Sequence, residues 1–256
     1  MPRDPRFLTG AIPTPRHKLM AVPPFVPIRD TPPQFAWLAA QLSMWGNNQY
    51  GDCVSAEEAA AKAVYSVGCG LPETFVAEAD VIAWARKYGF LDGAMLTDVM
   101  DQMAKNGMPA GGQIWEDGPY KAVDYSNEAA LQNAIGTVGP LKVGIDSSAL
   151  PSGAGNNQGW TAFGGSPHSH TNEDHCVGLF GYGPSAWLLG QINAVMKTNA
   201  TLPSNAPPTS YVLYTWSTFG LVDHDWIMST MGEAWVRNPT TLGQTPVPQQ
   251  VDFANL

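Results

Sequence analysis

Charge is scarce in this chain. Only 14% of its 256 residues are Asp, Glu, Lys or Arg, against 44% hydrophobic, and the formal balance is −9. A sequence so poor in charge and so well supplied with aromatics folds into a globule. An acidic surface is a poor match for phosphates, which excludes a nucleic-acid backbone as the main partner. Cysteine is scarcer still. Cys53, Cys69 and Cys176 are too few and too scattered for a disulfide framework, and their odd number suits a reducing compartment. No apolar run is long enough to cross a bilayer, so no membrane partner is expected. The opening MPRDPRFLTGAIPTPRHKLM lacks the apolar core of a signal peptide. The expected location is the cytoplasm or a virion.

Proline is abundant, and it is concentrated at the ends. Residues 1–44 contain Pro2, Pro5, Pro13, Pro15, Pro23, Pro24, Pro27, Pro32 and Pro33, and read as an extended arm lying along a surface. The tail 239–256 has the same character. Such arms can bind neighbouring subunits, either in a homo-oligomer or in a particle, through backbone pairing.

Between the arms the pattern changes once. Helical periodicity covers 53–67, 74–88 and 97–106, the last with Thr97 as N-cap, and Gly68, Gly89 and Gly107 stop the three helices. A short helix starts near Ser126. Strand patterns then dominate, at 140–146, 175–183 and 210–216, with a helical stretch at 223–231 before a strand at 233–238. Residues 147–173 and 184–209 read as long connections, the second holding the apolar piece 186-AWLLGQINAVM-196. The expected fold class is α+β, with a helical half over about 45–112 and a β-rich half over about 113–238.

The chemistry centres on 47-NNQYGDCVSAEEAAAKAVYS-66. Cys53 opens a helix, where unpaired N–H groups and the helix dipole favour thiolate. A nucleophilic thiol also needs a base. His17, His168, His170 and His224 lie in the arm, in a polar loop or at a helix start. His175 alone opens an apolar strand, where it is held by a sheet and can still face a cleft.

These residues fall in an order that resembles the papain-like cysteine peptidases. The family places its nucleophile at the start of a long helix, as Cys53 is placed. Its GP strand is matched by 139-GPLKVGID-146, and its histidine strand by 174-DHCVGLFGYG-183. The linking segment 118-GPYKAVDYSNEAALQNAIGTVGP-140 is similar as well. The resemblance covers about 45–238 and implies a helical half packed on a twisted antiparallel β-sheet or barrel, with the active-site cleft between them. It also implies that Cys53 attacks a peptide or protein substrate, that His175 moves the proton, and that no cofactor or metal takes part. Gly51-Asp52 before the cysteine and the pair Thr215-Trp216 are similar to small papain-like proteins of phages and prophages.

The chain departs from the family at three positions. Val54 stands where a tryptophan usually follows the nucleophile. Asn47 stands at the oxyanion glutamine's position, six residues before Cys53, with Asn48 and Gln49 nearby as other amides. An amide aimed at the oxyanion is worth roughly 3 kcal/mol. The asparagine that orients the histidine is missing; 212-VLYTWSTFG-220 offers Thr215 or Ser217 instead. The fifty residues before Cys53 hold no helical blocking domain, which implies either no zymogen or another form of control.

The cluster 168-HSHTNEDHC-176 could be read as a metal site, but no second Cys/His pair accompanies it, and a polar rim beside His175 fits better. Cys69 and Cys176 read as core thiols, Asp146 as a strand cap, and Trp84, Trp187, Trp216, Trp226 and Trp235 as core. Two function classes remain. One is a cysteine peptidase, or a related thiol hydrolase or acyl transferase. The other is a weak or inactive scaffold that decorates a larger assembly such as a phage-like particle.

Overall fold

The computed structural model describes residues 7–27, 29–110, 113–239, 241–242 and 245–246. The first half carries β1 (Ala11–Ile12), α1 (Arg16–Leu19), β2 (Phe35–Ala36), α2 (Cys53–Gly68), α3 (Glu78–Tyr88), β3 (Ala94–Met95), α4 (Leu96–Asn106), β4 (Met108–Ala110) and β5 (Gln113–Trp115). The second half carries β6 (Asp117–Ala122), α5 (Glu128–Thr137), β7 (Leu141–Ile145), β8 (Trp160–Ala162), β9 (His175–Pro184), α6 (Ser185–Met196), β10 (Thr209–Thr215), β11 (Thr218–Val222), α7 (His224–Thr230) and β12 (Met231–Pro239). Of the tail, Pro239 ends β12 and Thr241–Leu242 pairs with Thr245–Pro246; the remainder of 239–256 lies outside the described residues.

The main sheet runs β6-β12-β7-β9-β10-β11-β8, with β2 also paired to β9. It is antiparallel throughout except where β8 joins β11 in parallel, and it is an open sheet, not a closed barrel. β9 is its spine. Nine consecutive residues, His175 to Gly183, are buried, so both faces of the strand are covered. Against it lies α2, in which every residue from Cys53 to Ser66 is buried. A helix hidden all round has to be slim to sit close to a sheet, and 56-AEEAAAKA-63 supplies the small side chains.

Two expectations from sequence are corrected. The connection 184–209 is not structureless, because α6 occupies its first half. With few polar residues on any side, its sequence shows no helical period to read. Helix α4 begins at Leu96, with Met95 as N-cap and no side-chain cap, while Thr97 is buried inside its first turn. Among the described residues, no helix is long and apolar enough to cross a membrane.

The N-terminal arm is interrupted by the single turn of α1, and four of its side chains pin it to the body. Phe7, Ala11, Thr14 and Phe25 are buried. From β1 the chain passes through Thr14, whose N–H and hydroxyl both donate to Glu233 Oε1 at 3.2 and 3.0 Å. It continues along β6, where Phe25 N donates to Ala122 O at 2.7 Å, and reaches β9 through β2.

Candidate active site

Helix α2 begins because the Asp52 carbonyl accepts the amides of Ser55 and Ala56 at 2.8 and 3.0 Å. The N–H groups of Cys53 and Val54 precede the first intrahelical bond. The Cys53 side chain therefore starts at the positive end of the helix, and the chain bends it against β9, where the Cys176 amide donates to Cys53 Sγ at 3.4 Å. That contact sets the thiol beside the peptide joining His175 to Cys176.

His175 is fixed from two directions. Its Nε2 pairs with Thr215 Oγ1 at 2.8 Å, and its ring stacks on Trp216 with centroids 4.5 Å apart and planes 24° apart. Both partners come from the end of β10. Trp216 and Ser217 form the two-residue connection to β11, and both are left-handed, with φ of 43° and 64°. Such hairpin positions favour Asn-Gly, so a Trp-Ser pair there stores strain. The Trp216 backbone is bent into the shape that lays its indole over the imidazole. Trp216 is buried in the core, as its sequence context implied, and it packs on His175 there.

The amides expected to hold an oxyanion separate in the fold. Asn47 is buried, and its Nδ2 donates to Tyr50 O at 3.1 Å. Gln49 is exposed on the solvent side of the same turn. Asp52 is buried beside Asn47, and burial pushes its carboxyl up to about 8.

Both Cys53 and His175 are closed off from solvent, at 2% and 1% exposure. The N-terminal arm closes them. Phe7 stacks on Trp216 at 5.0 Å, and Trp216 Nε1 donates to Leu8 O at 3.0 Å. Leu8 N donates to Asn47 O at 3.3 Å, and Gly10 N to Asp174 O at 2.9 Å. The Gly10 amide also faces the Cys53 thiol. A Cβ on Gly10 would lie 1.8 Å from Gly51 O, so only glycine passes at this crossing. Beyond it, β1 pairs in parallel with β3. Residues 7–10 thus touch the Trp216 turn, the turn before Cys53 and the residue before β9. Under this cover, burial pushes the Cys53 thiol up to about 12, against the Cys176 amide and Lys142, which favour the thiolate.

The other candidates are dispersed. Asp146 accepts Ser148 N and Oγ on one oxygen and Asn172 N on the other, as a strand-end cap does. His168 is exposed and His170 half-buried. Among the described residues, no three His, Cys, Asp or Glu side chains converge as metal ligands. Cys176 is buried, whereas Cys69 is only half-buried. Local sequence held no signal for the arm's path. For Trp216 the signal was its place directly after Thr215.

No protein-family model and no curated protein sequence matches the chain. Its fold does have counterparts. Xylellain, a cysteine protease from Xylella fastidiosa, superposes with a TM-score of 0.59 at 14% identity, over 93% of this chain and 98% of that one. Digestive procathepsin L2 from Tenebrio molitor larval midgut gives 0.62 at 15% identity, over 93% and 80%. A structure from work on the mite allergens Blo t 1 and Der p 1 gives 0.59 at 13% identity, over 91% and 80%. The chain has the fold of the papain-like cysteine proteases.

Proposed function

We propose that the protein is a cysteine peptidase, or a related thiol hydrolase or acyl transferase, whose own arm covers its active site at rest. One observation carries this reading. The Cys53 thiol at the start of α2 accepts from the N–H of Cys176, the residue after His175, and Thr215 holds the His175 imidazole.

With Thr215 accepting from Nε2–H, Nδ1 holds the imidazole lone pair and takes the Cys53 proton. The thiolate attacks the substrate carbonyl carbon, and negative charge moves to its oxygen. That oxygen is received by the Cys53 N–H and by Asn47, once the Asn47 amide turns from Tyr50. Collapse expels the amine with the proton from His175 and leaves a thioester. Water, or another acceptor, then attacks the thioester while His175 removes its proton, and the thiol is restored. None of this proceeds while Gly10 lies over Cys53, so the arm must leave first.

The test is digestion of a proteome-derived peptide library by the Gly10→Ala chain, with products read by mass spectrometry. Cleavage that disappears in Gly10→Ala/Cys53→Ser and in Gly10→Ala/His175→Ala supports the reading. If an uncovered Cys53 cleaves nothing and acylates with no ester, the protein is a scaffold. In that case the decorating role in a larger particle becomes the account to pursue.

A further inference from the structure

Beneath the first turns of α2 lie six buried charges that the proposed chemistry leaves unused. Glu57, Glu58 and Asp117 face Lys62, Lys142 and Arg237, three carboxylates against three cations. Lys62 pairs with Asp117, and Arg237 Nη2 lies 2.8 Å from Glu57 Oε1. Lys142 differs from the other cations in what else it reaches. Its Nζ donates to Val54 O at 2.7 Å and lies 3.9 Å from Cys176 Sγ. Val54 follows Cys53, and Cys176 follows His175. One ammonium thus contacts the immediate neighbour of each reacting residue.

Its position in the sheet makes this contact firm. On β7, Lys142 pairs with Gly178 of β9, and the register continues to Ile145 opposite His175. The side chain is fully buried, yet Glu57 at 2.7 Å and Glu58 at 3.1 Å hold it as an ammonium. In sequence, 141-LKVGI-145 gave no hint of this, because a lysine in such a strand ordinarily points to water.

We propose that Lys142 is a positioning residue for the Cys53–His175 pair, locking the start of α2 to β9 and keeping a permanent positive charge behind the Cys53 thiolate. This rests on the reading that those two residues react together. Cys53 is faced by Asp52 from its helix cap, by Cys176 from β9, by Lys142 from β7 and by the Gly10 amide from the arm. Lys142 is faced in turn by Glu57 and Glu58 from α2, Cys176 from β9 and Arg237 from β12. Of the charged groups around Cys53, Asp52 opposes the thiolate and Lys142 favours it.

The experiment measures Cys53 alkylation by iodoacetamide against pH, by peptide mass mapping, in the full chain carrying Phe7→Ala to loosen the arm. Lys142→Met alone strands a buried carboxylate and can fail to fold, so the decisive variant is Lys142→Met/Glu58→Gln, which keeps the cluster neutral. Near-UV circular dichroism checks that it folds. The expected result is a reactivity midpoint raised by about one pH unit, a tenfold loss of rate at pH 7, with Lys142→Arg retaining most of the wild-type rate. An unchanged profile in the folded double variant, alongside a clear loss in His175→Ala, overturns the inference and leaves the catalytic pair standing. No effect of His175→Ala, or a Cys53 that never reacts, sinks the pair and the positioning role with it.

Discussion

Nε2 of His175 lies 2.8 Å from Oγ1 of Thr215, the residue standing where papain-like peptidases are expected to carry an asparagine. A hydroxyl can hold one tautomer of an imidazole as an amide oxygen does, through a single acceptor. The Thr215 backbone is itself held, since its carbonyl accepts from Thr218 Oγ1 at 3.0 Å. Thr215→Val keeps the volume and removes the acceptor. The expected result is a fall in kcat/KM of ten- to a hundredfold, about 1.4–2.7 kcal/mol of transition-state stabilisation, with thermal unfolding little changed. Steady-state kinetics in the Gly10→Ala background checks it, and an unaltered kcat/KM would deny Thr215 any role.

Arm displacement has its own test. Gly10→Ala places a methyl group against the Gly51 carbonyl, and Phe7→Ala removes the ring from Trp216. Either change is expected to raise the alkylation rate of Cys53 at pH 8 by at least about tenfold, as the thiol regains water and its burial penalty falls. Hydrogen exchange at the amides of residues 10 and 11 should accelerate in parallel. A thiol as slow as wild type in both variants would show that something other than the arm shields it.

The arm is also tied to a buried pair of acids. Glu233 accepts from Thr14, and Glu173 hydrogen-bonds Glu233; burial and the neighbouring Glu233 charge push Glu173 up to about 9. Its folded value lies above the unfolded value of 4.5, so the folded state holds the extra proton between those limits. The Glu173 contribution is therefore complete below about pH 4.5 and is lost as pH rises toward 9, by up to about 1.4 kcal/mol per pH unit. Glu173→Gln should flatten that slope in urea unfolding measured from pH 5 to 9. A slope equal to wild type would mean the proton is held elsewhere.

Strain at the turn beside the site predicts a stabilising change. Ser217 has φ of 64°, where glycine is comfortable and serine is not. Ser217→Gly should raise stability by about 1 kcal/mol, read from the urea midpoint, without moving the Trp216 ring from His175. A loss of stability would show that the turn is relaxed with serine in place.

What the sequence displayed was local or ordered along the chain. The start of α2 at Cys53 was legible because an alanine-rich period begins there and Gly68 ends it. His175 was legible because it stands at the junction of a polar loop and an unbroken apolar strand. The α+β division followed from the change of period near residue 113. Helix α6 stayed hidden because an apolar stretch without a polar face has no phase.

Tertiary structure decided the rest, because it depends on which segments meet across long separations. Gly10 reaches Cys53 only because the arm threads between the turn of Asn47 and Gly51 and the Trp216 turn, residues separated by most of the chain. Lys142 is a buried tie because α2 places Glu57 and Glu58 opposite it. Sequence determined which residues are candidates for the site. Packing determined that the pair is covered at rest, since burial and a neighbouring charge set a thiol's proton affinity, and neither is written in the residues beside it.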